Sequence, residues 1–321
     1  MEDVFAGADV GGTSVKLAFG TADGELIAET SLPTDSHRGP EAVLERIAEG
    51  LNHLSKQTGA KPKRVGMGIP GIVDIPRGIT KFLPNLMGHW KDVPAADILS
   101  KHVGCPVLLL NDVRTATLGE LAYGHGRNPA IGSFVLMAIG TGIGGGVVID
   151  RKLRLGPIGA AGEVGHQTIA PDGPRCGCGN HGCLETLASG TAIAAEGVRL
   201  VLMGLAPILR DKAEGNTAKI SAKLVAEAAD EGDDACRDAI KGAGRWLGIA
   251  IANIVTTIHP DLVVIGGGVS RIGEVLIERV REEVVARCPI YPPETIRVEP
   301  SLLSDKAGIL GTVALAARGL A

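Results

Sequence analysis

Two segments of the chain repeat one plan, and that repetition limits what it can fold into. Residues 4–10 read as a strand, Gly11-Gly12-Thr13 as a tight turn and 15–19 as the returning strand. Far downstream, 133–139, the glycine-rich turn from Gly140 to Gly146 and 147–150 do the same. Each hairpin is followed by alternating helix and strand patterns. After the first come a third strand over 25–30 behind the Asp23-Gly24 turn, a helix over 41–56, a strand over 63–69, a short helix near 95–101 and an apolar strand over 106–110. After the second come helices through 188–203, 218–231 and 234–258, a strand over 261–265, a helix over 271–286, a strand near 296–299 and a closing helix over 305–318. This order predicts a duplicated α/β fold in which helices cover mixed sheets. The expected division is a small lobe of 1–112, joined by the closing segment 305–321, and a large lobe of 113–304.

The composition narrows the function. The 321 residues carry a net charge of −4 with no basic stripe, which argues against a nucleic-acid partner. Aromatic residues make up 2%, too few for base-stacking platforms. Glycines gather at strand ends, where the backbone can approach a ligand closely. No secretory signal opens the chain and no stretch is long and apolar enough to span a bilayer, so a cytoplasmic protein without a membrane partner is expected.

Two glycine hairpins suit a phosphate chain, because their backbone N–H groups can face anionic oxygens. Thr13 and Thr141 add hydroxyls, Lys16 adds charge, and Asp9 at the first strand's end is placed to hold Mg²⁺ directly or through water. Gly266-Gly267-Gly268 closes another buried strand. None of these loops fits the P-loop or the dinucleotide fingerprint. Asp112 follows an apolar strand, where α/β sheets place ligand residues, and a carboxylate there can take a proton from an attacking hydroxyl. The same residue would also serve as N-cap of a helix over 113–123. Asn111 suits sugar hydroxyls, and Asn85 suits either a sugar or a turn.

Cys176, Cys178 and Cys183 lie within eight residues among glycines, downstream of Gly162-Glu163-Val164-Gly165-His166. Thiolates converging on one cation offset each other's desolvation, and three with one imidazole make a closed, structural zinc site. His166 and His181 compete evenly as the fourth ligand. Cys105, Cys236 and Cys288 are scattered in apolar surroundings and read as ordinary buried thiols.

Together, Asp9-Val-Gly-Gly-Thr13, Gly68-Ile-Pro-Gly71, Leu110-Asn-Asp112, the Gly140–Gly146 run, Gly162-Glu-Val-Gly-His166 and Cys176-Gly-Cys-Gly-Asn-His-Gly-Cys-Leu-Glu185 resemble the ROK family of repressors and sugar kinases. The resemblance covers essentially the whole chain. It implies the duplicated hexokinase/actin-like (ribonuclease H-like) fold, with hexose and Mg²⁺-ATP as ligands between two lobes. It implies Asp112 as catalytic base, and Gly71, Asn85, Asn111, Asp112, Glu163, His166 and Glu185 around the sugar. Asp9, Gly11, Gly12 and Thr13, with Thr141, Gly142, Gly266 and Gly267, fall to the nucleotide. His166, Cys176, Cys178 and Cys183 fall to zinc, against His181. A homodimer or tetramer is the family's expectation. One departure is Ile139, where many relatives of the wider fold carry an aspartate before the second turn; metal help would then rest on Asp9.

The segments 85–90 and 171–175 resemble the family's bacterial glucokinases, so ATP-dependent phosphorylation of the glucose 6-hydroxyl is expected, with fructose, mannose and N-acetylmannosamine as alternatives. A sugar-sensing repressor would need a DNA-binding domain ahead of a strand that starts at residue 4 and is the remoter expectation, as is a zinc-stabilised sugar-binding protein without catalysis.

Overall fold

In the computed structural model, residues 3–83 and 85–320 are described. The chain forms two compact units: Met1–Gly132, Gly146–Gly162 and Ser301–Ala321 make the first, and Ser133–Gly145 with Glu163–Pro300 the second. The first unit thus takes the C-terminal segment, as in the expected lobe of 1–112 with 305–321, but extends to Gly132 and adds Gly146–Gly162. The helix that follows Asp112 packs tightly against the C-terminal helix, and that pairing keeps it in the first unit.

The first unit is built on a sheet of β1 (Phe5–Val10), β2 (Ser14–Gly20), β3 (Leu26–Pro33), β4 (Val65–Ile69) and β7 (Val107–Asn111), in the order β3-β2-β1-β4-β7. The hairpin strands are antiparallel, while β1, β4 and β7 run parallel. Between β4 and β7 the chain makes a small hairpin, β5 (Ile72–Asp74) with β6 (Ile79–Phe82), whose strands are too short to show a period in the sequence. Helices α1 (Pro40–Thr58) and α2 (Ala95–Val103) bury Val43, Leu44, Ile47, Leu51, Leu54 and Leu99 with Ala6, Ala8, Val65 and Met67 of the sheet.

The residues that alternate with those alanines and valines are glycines. A Cβ on Gly7 would stand 2.3 Å from Thr312 Oγ1, and one on Gly66 would stand 2.0 Å from the Thr312 carbonyl. The sheet is therefore bare on that face, so that α10 (Ala307–Arg318) lies directly on the backbone, with α3 (Asp112–Tyr123) beside it.

The second sheet repeats the order: β10 (Lys152–Arg154), β9 (Ile143–Ile149), β8 (Phe134–Ile139), β11 (Leu262–Gly266) and β12 (Val298–Pro300) are neighbours in that sequence. Again β8, β11 and β12 are parallel behind an antiparallel edge. The duplication read from the two hairpins is thus present strand for strand.

In the second unit the long α8 (Asp234–Ile258) packs against α4 (Glu185–Ala188), α5 (Gly190–Leu202), α7 (Ala222–Asp230) and α9 (Glu274–Arg287), and α6 (Pro207–Lys212) joins α5 and α7. Gly244 and Gly248 of α8 let α9 approach: added Cβ atoms would meet Arg279 Cβ at 3.0 Å and Glu283 Cβ at 2.4 Å. The helix expected over 188–203 is α5, which starts at Gly190 because Ser189 takes an extended conformation and its side chain accepts from Ala192 N; the one-turn α4 precedes it. Among the described residues, no helix is long and apolar enough to cross a membrane.

Candidate active site and metal centre

In the first unit, parallel pairing sets Ile69 beside Asn111, so the Pro70-Gly71 turn and the Asn111-Asp112 strand end lie together. Gly71 has φ 95°, and any side chain there would strike the Phe82 carbonyl, 2.1 Å from an added Cβ. The helix cap is Asn111 rather than the expected Asp112. Its Oδ1 accepts from Val113 N at 3.0 Å, Arg114 N at 3.2 Å and Arg114 Nη1 at 3.0 Å, while Nδ2 donates to the Gly71 carbonyl at 3.0 Å. Asn111 therefore fixes the turn and the helix start. Asp112, the first residue of α3, is partly exposed, and its Oδ1 accepts from Val113 N at 2.8 Å.

Asp9, on the last turn of β1, is aimed at the start of α10. An added Cβ on Gly308 would lie 2.4 Å from its Oδ2, so only glycine fits there. Burial first and the Asp112 charge second push the Asp9 carboxyl up to about 6, against the opposing pull of Lys16. Lys16 pairs with Asp9 across the hairpin and donates to the Asp305 carbonyl at 3.1 Å. In the turn, Gly12 and Thr13 are exposed, and Gly11 N is tied to the Ser14 carbonyl at 2.9 Å. Asn85 is exposed in a turn whose carbonyl faces Gly12.

The raised Asp9 has a testable consequence. The folded chain holds this proton more tightly than the unfolded one, whose value is near 3.8. The stabilisation is complete below about pH 3.8 and is lost as pH rises through about 6. In magnesium-free buffer, Asp9→Asn should raise Tm relative to the parent at pH 7.5 and give no such gain at pH 3.5; equal differences at both pH values would contradict this.

In the second unit, a cleft of about 720 Å³ is lined by Thr141, Thr191, Lys223, Asp230, Gly268 and Arg271 among others. The second glycine turn is stitched to the start of α5: Gly190 N donates to the Gly140 carbonyl and Thr191 Oγ1 to the Thr141 carbonyl, both at 2.8 Å. The Thr141 backbone and the start of α5 thus border one concave space, an arrangement that suits an anionic chain.

Of the third glycine run, Gly266 is a buried strand residue paired with Ala138, Gly267 is exposed at φ 83° beside the Ile139 backbone, and Gly268 lines the cleft. Gly142 faces the Glu185 carboxylate. Ile139 is fully buried, so it brings no carboxylate to this turn. The walls from α5, α7 and Arg271 were missed in the sequence; the Ser189-Gly190-Thr191 cap was the only local signal.

The ligand atoms of His166, Cys176, Cys178 and Cys183 all lie within 4.8 Å of one another. Cys176 Sγ is 3.7 Å from His166 Nδ1, and Cys178 Sγ is 3.7 Å from Cys183 Sγ. Zinc–sulfur bonds of about 2.3 Å at tetrahedral angles put sulfurs roughly 3.8 Å apart, so the set fits that ion. His181 stands outside it, with Nδ1 3.4 Å from the Gly173 carbonyl. Burial pushes the Cys176 thiol up to about 12 and raises Cys183, whereas the Asn180 backbone lowers Cys178. Buried thiols that resist ionisation need a cation to become thiolates together.

The loop that carries them has little regular structure and is held by turns. Cys176 N donates to the Asn180 carbonyl at 2.8 Å, and Leu184 N to the Gln167 carbonyl at 2.9 Å. Gly182, at φ 63°, sits so that a Cβ would overlap the Ala170 carbonyl. Gly165 does the same against Ile143, which fixes the His166 turn to the second glycine hairpin. Glu185 joins the two features: Oε1 accepts from Cys176 Sγ at 3.2 Å, and Oε2 from Ile143 N at 3.4 Å. Glu163 is exposed at the head of the same loop.

These arrangements recur in known proteins. The ROK family pattern matches residues 5–318. The glucokinase of Thermotoga maritima is 38% identical over 315 residues, 96% of each chain. The xylose repressor of Caldicellulosiruptor bescii is 32% identical over 312 residues, 96% of this chain and 77% of the repressor. A solved ROK family glucokinase from Streptomyces griseus, in complex with glucose and AMPPNP, is 31% identical, with a TM-score of 0.86 over 98% of this chain and 100% of that one. The twice-repeated sheet order is the hexokinase/actin-like fold of these kinases, and by sequence and fold alike the chain belongs to the ROK family.

Proposed function

We propose that the protein is an ATP-dependent hexose kinase that transfers the γ-phosphoryl group to the 6-hydroxyl of glucose. The observation that carries this reading is Asp112. It is a carboxylate at the carboxyl end of a buried parallel strand, on the first residue of a helix whose cap is supplied by its neighbour Asn111. A carboxylate in that position is suited to accept the proton of an attacking hydroxyl. Phosphoryl transfer asks for little more than alignment and charge neutralisation. The relative with glucose and AMPPNP bound supports the same pair of ligands here.

Gly11, Gly12 and Thr13 of the first turn and Thr141 of the second supply backbone and hydroxyl donors to the phosphates. The cleft of about 720 Å³ takes the nucleoside. Mg²⁺, when bound, neutralises charge between the terminal phosphates, and Asp9 is the carboxylate that would hold its water shell. Zinc, when bound, locks the loop that presents Glu163, His166 and Glu185. With Nδ1 committed to the metal set, the other ring nitrogen of His166 carries the proton and donates to a sugar hydroxyl.

Hexose choice rests on such hydrogen bonds, since a misplaced hydroxyl leaves a polar partner unpaired. An ADP-release assay over glucose, fructose, mannose and N-acetylmannosamine should give glucose the highest kcat/KM. Turnover confined to an amino sugar would replace glucose in this reading, and no turnover with any of the four would end it.

A further inference from the structure

Helix α3 starts at Asp112 and carries three polar side chains three residues apart along one face, Arg114, Thr117 and Glu120, none more than 1% exposed. Each meets the chain where it enters or leaves the first unit. Arg114 Nη2 donates to the Ala161 carbonyl at 2.9 Å, one residue before that unit's segment ends at Gly162. Gly146, where the chain re-enters, lies so close to Thr117 that an added Cβ would stand 2.1 Å from Oγ1. Glu120 accepts from Ser301 Oγ at 2.7 Å and Leu302 N at 3.3 Å, at the re-entry after Pro300. The remaining exit is held by Arg151, whose N donates to the Gly132 carbonyl at 2.7 Å and whose Nη1 donates to that of Ile131 at 3.2 Å.

Polar side chains this deeply buried are costly unless their bonds are used. Arg114 and Glu120 spend bonds on the crossing segments, and Asn111 Oδ1 accepts from Arg114 Nη1 at 3.0 Å, while Thr117 Oγ1 donates to the Val113 carbonyl of its own helix and meets Gly146 by close packing. We infer that this face of α3 anchors the chain crossings to the strand end that bears Asp112, and that Arg114 is a positioning residue for the reaction. One guanidinium fixes both Asn111, beside the base, and Ala161, which leads into Gly162-Glu163. A lysine ammonium lacks the planar fork needed to serve both acceptors in these directions. The inference rests on the reading of Asp112 as the base.

The test is Arg114→Lys in the full chain. Its kcat should fall about 100-fold, the loss that misplacement by an ångström brings, with a raised KM for glucose. The dissociation constant for AMPPNP, measured without sugar, should stay within twofold, because every residue lining that cleft belongs to the second unit. A merely structural defect would weaken both. Independently of turnover, backbone hydrogen exchange over 155–162 should quicken in the variant while α8 keeps its protection. Parental kcat together with unchanged exchange over 155–162 would overturn the anchor. Where Arg114→Lys does not fold, Ser301→Ala, which removes one bond to Glu120, carries the test through faster exchange over 302–304 and a lower kcat; no change in either overturns it. A parent chain that phosphorylates no hexose removes the reading of Asp112, and the exchange result then decides the anchor alone.

Discussion

Asp112→Asn should lower kcat about 1,000-fold, within the range that a general base supplies, while leaving the affinity for AMPPNP unchanged. The substitution is nearly isosteric, and an asparagine Oδ1 keeps the bond from Val113 N. What it removes is the capacity to accept a proton and one negative charge. That charge contributes to the raised carboxyl of Asp9, so in the variant Asp9 should titrate below about 6. The pH at which the parent loses its Asp9-linked stability should move down with it. Kinetics and the pH dependence of Tm are thus coupled readouts of one carboxylate. Full turnover by Asp112→Asn would sink the mechanism, and a lost kcat with an unmoved pH profile would mean that the two carboxylates do not sense each other.

Metal removal is expected to have the next largest effect. The purified chain should hold about one zinc, and Cys176→Ser should lose it together with more than about 100-fold in kcat/KM for glucose. The reason is the loop itself. Between Gln167 and Leu184 the described backbone relies on turns and two isolated bridges, with no helix or strand ladder to hold it. His166 and Glu185 stand at its two ends; both approach Cys176, and His166 Nδ1 lies 3.8 Å from Glu185 Oε1. Without the cation, thiols held at or near their protonated state bring no cohesion, and Glu185 loses its position against Ile143. Elemental analysis and glucose kinetics before and after chelation check this; a zinc-free chain with intact kcat/KM would contradict it.

The fold was legible because its strongest signals are local and repeated. Each glycine turn lies between two apolar runs, and short runs bounded by such turns read as strands rather than helices. α8 was legible from end to end, since its acidic cap and long apolar stripe are contiguous. The β5–β6 hairpin was not, with three and four residues too few to show a period. The one-turn α4 before Ser189 is too short to show a period, although Ser189 itself is a recognisable cap for α5.

At the site, the Cys cluster declares itself by spacing, while spacing alone leaves His166 and His181 even; the family resemblance favours His166, and the backbone path that carries His181 toward Gly173 agrees. Asn111 and Asp112 were both singled out, but their tasks were partly exchanged. Either residue type caps a helix, and only the register beside Gly71 decides which one does. The cleft walls were illegible because α7 and Arg271 come from segments far apart in sequence. At Gly267 close packing on the Ile139 backbone by itself requires glycine, so the run alone does not specify a ligand.

The central claim is that this chain moves the terminal phosphoryl group of ATP onto the glucose 6-hydroxyl with Asp112 as base. Phosphorus NMR of ATP and glucose incubated with the parent and with Asp112→Asn, side by side, tests it most directly. The account predicts a glucose 6-phosphate resonance that grows with the ADP signals for the parent and is absent over the same interval for the variant. ATP that remains intact with the parent, or a 6-phosphate signal that grows equally in both samples, would contradict it.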